Sequence, residues 1–192
     1  MPVSCPITDD ILIECGDDYP IAGIGKIYIA PVRQLDMASV VFSTTTHDIT
    51  ALPLLTAGEF AIIEAKVATK DLATENTKDG GGNIWTITAN AIITNLATDK
   101  SFILQQYGKQ KLVVVVELYE KAASGNRKSL VLGLDNNMKQ DAGVSFSFNP
   151  GTEGEQGGVN GYNCVIAGVQ GESPRFFAGA LLTTGTATVN LG

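Results

Sequence analysis

The stretch that decides the fold is residues 59–94, EFAIIEAKVATKDLATENTKDGGGNIWTITANAIIT. From Trp85 to Ile93 apolar residues occupy every odd position, with Thr or Asn at most positions between them. Residues 59–77 alternate similarly, with Ile63 and Val67 on one face and charged residues on the other. A period of two is typical of a strand with one buried face. The stretch therefore predicts two long strands.

A glycine run separates these two arms. Residues 79–82, Asp-Gly-Gly-Gly, form a turn signal that tolerates positive φ. Each arm exceeds the usual strand length of about 5–6 residues, and such strands bend around a barrel or project to pair with another chain. We therefore predict a long protruding β-hairpin that acts between subunits. Its candidate interface residues are Glu64, Lys66, Lys70, Gly80, Gly81, Gly82, Trp85 and Ile87.

Other segments also have strand patterns, and one predicts a helix. The strand segments are 26–30, 38–43, 111–120, 129–134, 143–148 and 161–167. The apolar run Leu112–Val116 predicts a strand covered on both faces. Residues 100–107 predict a short helix that begins after Thr98 or Asp99 and ends at Gly108, with Phe102, Ile103 and Tyr107 on its buried side. The expected fold is mainly β, an antiparallel β-sandwich or barrel with one flanking short α-helix.

The length of 192 residues suits one domain. We expect residues 1–192 to form a single β domain with an N-terminal arm of about residues 1–20 and a C-terminal arm of about 176–192. The chain carries no charge after Arg175, so we expect this apolar end to dock on its own domain or on a neighbour.

Composition and charge exclude several classes of protein. The net charge is −7, which disfavours a protein that grips nucleic acid through phosphate contacts. No apolar run approaches the roughly 18 residues of a membrane span, and the first twenty residues are acidic without Lys or Arg. We therefore expect a soluble, non-secreted protein. Cys5, Cys15 and Cys164 lack metal-site spacing and are expected to be reduced, with a Cys5–Cys15 link left open.

The patterns that suggest chemistry are weak. His47, the only histidine, lies beside Asp48, but a Gly-x-Ser-x-Gly motif is lacking, so a solvated loop residue is the preferred interpretation. Residues 135–137, Asp-Asn-Asn, resemble part of a calcium loop, but Lys139 occupies a ligand position. Gly23-Ile24-Gly25 leads into a strand rather than a helix, unlike a dinucleotide fingerprint. We predict that the chain has no catalytic, cofactor or metal site and that it is not an enzyme.

The order of several motifs resembles the tail tube proteins of tailed bacteriophages and prophages from Bacteroidetes-type hosts. The resemblance covers most of the chain between Cys15 and Phe177. The motifs are Cys15-Gly16, residues 23–30, the two hairpin arms, Ser145-Phe146-Ser147-Phe148, the Gly-rich residues 151–158, Gly161-Tyr162, and residues 172–177.

This resemblance implies a mechanical function. Such subunits share a β-sandwich or barrel core, close into hexameric rings, and stack into a hollow tube for DNA. Long hairpins of neighbouring copies could pair edge to edge, and an acidic lumen would repel phosphate. The implied partners are copies of the chain, other tail proteins, and DNA that passes without specific binding, with no membrane. The implied location is the virion tail, assembled in the host cytoplasm.

Two other interpretations stay open. One is a different virion component, such as a head decoration or tail-completion protein. The other is a carbohydrate-binding β-sandwich module, against which Trp85 is the sole tryptophan and an aromatic platform is not evident. Ring symmetry, tail type and host are left open.

Overall fold

The computed structural model describes residues 23–55, 58–63, 71–79, 82–94, 98–121, 126–136, 143–152, 160–183 and 188–190. In chain order the strands are β1 Ile24–Pro31, β2 Val41–Phe42, β3 Asp48–Ala51, β4 Ala61–Ile63, β5 Asp71–Asp79, β6 Gly82–Thr94, β7 Leu112–Lys121, β8 Arg127–Leu132, β9 Ser145–Thr152, β10 Asn160–Gln170, β11 Arg175–Phe177, β12 Ala180–Leu182 and β13 Thr188–Asn190. A 3-10 turn, Val32–Gln34, follows β1, and helix α1, Thr98–Gly108, lies between β6 and β7.

Three sheets hold these strands. The largest has seven strands in the order β2-β3-β11-β8-β7-β1-β4, the second has four in the order β5-β6-β10-β9, and β12 pairs with β13. Neighbouring strands are antiparallel except β3 and β11, which are parallel. The predicted fold class, mainly β with antiparallel sheets in a sandwich-like arrangement and one α-helix, is confirmed for the described residues.

Strand β7 is a buried inner strand of the seven-stranded sheet, between β8 and β1. Leu112, Val114 and Val116 face one hydrophobic cluster, whereas Val113 and Val115 face another. All five side chains are fully buried. A continuous apolar run is what a strand needs when both of its faces are covered, so the prediction from this run is confirmed.

The two clusters form the layers of the molecule. The first lies between the two large sheets and includes Ile87 of β6, Phe146 of β9 and Ile166 of β10. The second covers the opposite face of the seven-stranded sheet and includes Phe177 and Leu181. The chain after Arg175 thus docks on its own domain as far as Thr183. Residues 1–20, and residues 184–187 and 191–192 of the C-terminal arm, lie outside the described part.

The hairpin of β5 and β6 is present, and its second arm is 13 residues long. β6 pairs with β5 from Gly82 to Asn90 and with β10 from Trp85 to Thr94. The tip of the hairpin therefore extends past the paired part of β10.

The first arm differs from the single strand expected over residues 59–77. β4 pairs with β1 in the seven-stranded sheet, whereas β5 belongs to the four-stranded sheet. The chain passes from one sheet to the other between Ile63 and Asp71. Alternation of apolar and polar residues indicates that one face of a strand is buried, but it does not indicate which strand pairs with it. The change from one sheet to the other therefore could not be predicted from this pattern.

The helix forms where it was expected, but the prediction of its buried side was wrong for Phe102 and Ile103 and right for Tyr107. Phe102 and Ile103 are 62% and 52% exposed, whereas Leu104 is 5% exposed and Tyr107 is half-buried against the core. Three consecutive apolar residues span about 200° of a helix, so they cannot all face one layer. Of these three residues, Leu104 is the one that faces the core.

Candidate assembly interface

Strand β5 is one open edge of the four-stranded sheet. Among the described strands, β6 is its only neighbour. The side chains from Ala73 to Lys78 are exposed on both faces, and Leu72 is half-buried. A long exposed edge strand is a surface on which another strand can pair.

The backbone of β5 can be divided into groups that face β6 and groups that face outward. Asp79 pairs with Gly82, so two residues connect the strands. In such a hairpin the two residues that flank the turn exchange both backbone hydrogen bonds. Along the strands, hydrogen-bonded pairs of this kind alternate with pairs whose N–H and C=O groups point away from the partner strand. Counting back from Asp79, the residues with outward-pointing groups are Leu72, Thr74, Asn76 and Lys78.

Strand β9 is the opposite edge of this sheet. It pairs with β10, and Pro150 lies opposite Tyr162 within it. Proline has no N–H, so within a sheet it is confined to edge strands or to positions that need no ladder bond. Helix α1 lies beside this edge, because a Cβ at Gly108 would be 3.4 Å from the Phe146 carbonyl oxygen.

The outer face of the four-stranded sheet has mainly small and polar side chains, with Ile84, Ile92, Val165 and Val169 as its larger apolar residues. Because Ile87, Phe146 and Ile166 point into the core, the alternate residues point outward. Asp71 and Glu75 are the charged groups of this face among the described residues. The outward-facing residues are Asp71, Ala73, Glu75, Thr77, Ile84, Thr86, Thr88, Asn90, Ile92, Ser145, Ser147, Asn149, Asn163, Val165, Ala167 and Val169.

The predicted interface residues are divided between edge, core and undescribed segments. Gly82 begins β6 at the hairpin tip. Trp85 is half-buried on the core side, and Ile87 is fully buried. The side chain of Ile87 therefore stabilises the subunit's own core and is not accessible to a second copy. Glu64, Lys66, Lys70, Gly80 and Gly81 lie outside the described residues.

A polar cluster at the end of β10 was not predicted. Asp135, 2% exposed, accepts a hydrogen bond from the Gly171 N–H at 2.6 Å. Arg175 donates from Nε and Nη2 to the two carboxylate oxygens of Glu172, at 2.9 and 2.7 Å. The Asn136 N–H also donates to Glu172, at 2.9 Å. The cluster fixes the loop between β10 and β11.

The charges in this cluster stabilise one another. Burial acts to raise the pKa of Glu172, but the hydrogen bonds from Arg175 and Asn136 outweigh it, so the pKa lies below its usual value. The hydrogen bond to Glu172 in turn raises the pKa of Arg175. Glu172 and Arg175 are three residues apart, a spacing visible in the sequence, whereas the partners at Asp135 and Asn136 carry no local signal.

His47 contacts the same loop. Its Nε2 lies 2.8 Å from Ser173 Oγ and 3.2 Å from the Ser173 carbonyl oxygen. The imidazole is exposed, as expected for a loop residue, but it has a specific partner far along the chain. The contact ties the loop before β3 to the loop before β11, two strands that pair in parallel. That His47 has no catalytic role stays a prediction.

A second buried charge lies in the middle of β7. Glu117 accepts hydrogen bonds from Arg127 Nη1 at 2.6 Å and from the Tyr28 hydroxyl at 3.3 Å. Burial, and then the charge of Glu117, raise the pKa of Tyr28, so the phenol stays protonated as a donor. A buried carboxylate is tolerated when it is paired in this way, which makes this group a part of the framework.

The described part of the chain has neither a metal-binding cluster nor a helix that could span a membrane. Its His, Cys, Asp and Glu residues include no group of three or more that could hold a metal ion. None of its helices is long and apolar enough to cross a membrane.

Comparisons of the chain with protein-family models, with curated proteins and with solved structures found no significant match. The function is therefore inferred from the chain's own residues and sheet edges.

Proposed function

We propose that the chain is a structural, self-assembling subunit that closes into rings, and that these rings stack into the tail tube of a tailed-phage particle. One observation carries the proposal: a four-stranded antiparallel sheet ends in β5, which is exposed, and in β9, whose start lies against α1 and whose later residues have no further neighbour among the described strands. The motif order that resembles tail tube proteins adds independent support.

The directions of the two edges suit ring closure. All neighbours in this sheet are antiparallel, so with four strands β5 and β9 run in opposite directions. In copies related by rotation about a common axis, β9 of one copy and β5 of the next would continue the antiparallel order across the seam. Such contacts are heterologous, and a heterologous contact that closes forms a ring. Closure would pair the backbone groups that β5 leaves outward.

The outer face of this sheet suits a DNA conduit. In a ring closed through β5 and β9, one face of every four-stranded sheet lines the opening. The described residues of the solvent-facing side include Asp71 and Glu75 and no Lys or Arg. Carboxylates repel phosphate, so DNA would pass without being held.

The proposal includes partners and a location. The partners are further copies of the chain, other tail proteins and DNA in transit. The location is the virion tail, with assembly in the host cytoplasm. The competing proposals are a head decoration or tail-completion protein and a carbohydrate-binding module, and the experiment that follows distinguishes them.

The test is the assembly state of the purified full chain. Sedimentation velocity over a concentration series, with negative-stain microscopy of the same samples, should show rings with a central opening and, at high concentration, stacked tubes. A small oligomer without an opening would favour another virion component. A protein that stays monomeric and binds glycans saturably would favour the carbohydrate module and refute the ring.

A further inference from the structure

Helix α1 is apolar on two opposite sides. Leu104 is 5% exposed and packs in the core, whereas Phe102 is 62% exposed and Ile103 is 52% exposed. A helix with one covered face normally presents polar residues on the other. Large apolar residues on both sides are typical of a helix that is covered twice, and the described residues of this subunit cover α1 on one side.

The position of α1 indicates what covers its second side. Its last residue, Gly108, lies against β9, since a Cβ there would be 3.4 Å from the Phe146 carbonyl oxygen and 4.0 Å from the Phe148 ring. The segment that follows is tied to the start of β9 by two backbone hydrogen bonds between Leu112 and Val144, at 2.9 and 2.8 Å. The helix therefore lies against the start of the β9 edge, and the rest of β9 has no further neighbour among the described strands.

A strand added to that edge would be close to α1. Paired strands lie about 4.8 Å apart, and a helix with its side chains is about 10–12 Å wide. Any chain that pairs with β9 is consequently brought within side-chain reach of the helix. This geometry connects the exposed apolar residues of α1 to the edge proposed to join two copies.

The charges on the two flanks of the sheet have opposite signs. Residues 98–111, which comprise α1 and the segment that joins it to β7, contain Lys100, Lys109 and Lys111 and one acidic residue, Asp99. At the other flank, β5 carries the exposed carboxylates of Asp71 and Glu75 against one exposed lysine, Lys78. Each whole chain has a net charge of −7, so copies repel unless they approach with these flanks facing.

We propose that Phe102 and Ile103 form the apolar anchor of the contact between copies and are covered by the β5 side of the next subunit. The inference rests on the proposed function, because it assumes the seam between β9 and β5. It adds a residue-level statement: backbone pairing supplies the direction of the contact, and burial of these two side chains supplies much of its affinity.

The first test is the variant Phe102→Ser/Ile103→Ser of the full chain. Both side chains are exposed, so the monomer should fold and melt like the wild type. The protein concentration needed for assembly should rise about tenfold or more. The matched control is Val41→Ser/Leu55→Ser, whose side chains are 49% and 51% exposed in the segment between β1 and β4. This control should assemble like the wild type.

The second test identifies what covers the helix. Benzoylphenylalanine at position 102 is irradiated in a mixture of ¹⁵N-labelled and unlabelled copies, and the cross-linked peptides are mapped by mass spectrometry. Mixed-label cross-links should fall in residues 71–79. Cross-links confined to one label, or mixed-label cross-links elsewhere, would overturn the assignment.

The failure of this inference can be distinguished from failure of the proposed function. If the wild type assembles and the Phe102→Ser/Ile103→Ser variant assembles at the same concentration, the anchor is wrong and the ring stands. If the wild type stays monomeric at every concentration, both the anchor and the ring are refuted.

Discussion

The loop between β10 and β11 is fixed by individual side chains from distant parts of the chain. Glu172 accepts hydrogen bonds from Arg175 and from the Asn136 N–H, and His47 contacts Ser173. The loop leads directly into β11, the strand between β3 and β8. These polar contacts thus hold β11 in the sheet and place Phe177 in the second hydrophobic cluster.

The Glu172 carboxylate predicts a pH dependence of stability. Its pKa in the folded protein is lowered, so its contribution is complete above the unfolded value of about 4.3 and is lost as pH falls through the folded value. Glu172→Gln should reduce the free energy of unfolding by about 1.5–3 kcal/mol at pH 7, since charge-assisted hydrogen bonds are lost. The difference from the wild type should shrink below about pH 4.

Urea unfolding of the wild type and of Glu172→Gln at a series of pH values measures this difference in the free energy of unfolding. Glu75→Gln, which removes an exposed carboxylate on β5, is the matched control and should follow the wild type throughout. A Glu172→Gln penalty that is the same at pH 3 as at pH 7 would show that the carboxylate charge is not what matters.

At the scale of elements, β5 combines a paired side and an open side. The odd-numbered residues from Asp71 to Asp79 direct their backbone groups to β6, whereas Leu72, Thr74, Asn76 and Lys78 direct theirs outward. A proline removes one N–H without changing the charge. Neighbouring positions of this strand can therefore separate assembly from folding.

Thr74→Pro should weaken assembly strongly while leaving the monomer folded, because the lost N–H points away from β6 and the seam already lacks the N–H of Pro150 on β9. Ala73→Pro should instead destabilise the monomer by about 1–3 kcal/mol, because the Ala73 N–H bonds to β6. Sedimentation velocity and thermal unfolding of both variants check this pair. Normal assembly of Thr74→Pro would exclude β5 as the seam.

At the scale of the whole molecule, the net charge and the charge of the outer face of the four-stranded sheet have the same sign. The chain has a net charge of −7, and the outer face of the four-stranded sheet has Asp71 and Glu75 as its charged groups among the described residues. A face with this composition should not retain DNA. The charge of that face, rather than the total, should decide whether DNA is held.

Asp71→Lys/Glu75→Lys should convert the protein into one that binds duplex DNA at low salt, with affinity that falls steeply as salt rises. The wild type should show no binding in the same gel-shift or anisotropy titration. The matched control, Asp36→Lys/Glu59→Lys, changes the net charge equally away from that face and should bind much more weakly. Equal binding by both variants would show that total charge alone is responsible.

The predictions from sequence succeeded where the signal was local. Alternation placed β6, β9 and β10, and the apolar run of β7 predicted burial on both faces. A short helix was expected close to the observed Thr98–Gly108. The predicted hairpin forms, but Ile87, one of its candidate interface residues, lies in the core, and the role of the hairpin between copies stays a prediction.

The hairpin shows what each level decided. The sequence by itself determined that residues 82–94 form a long strand with one buried face, because side-chain periodicity is a local property. Only the tertiary structure decided that residues 61–63 and 71–79 belong to different sheets, that Leu104 rather than Phe102 faces the core, and that β5 and β9 are the open edges. Burial and pairing depend on residues far apart in the chain, and a local pattern reports that a surface will be covered without specifying its partner.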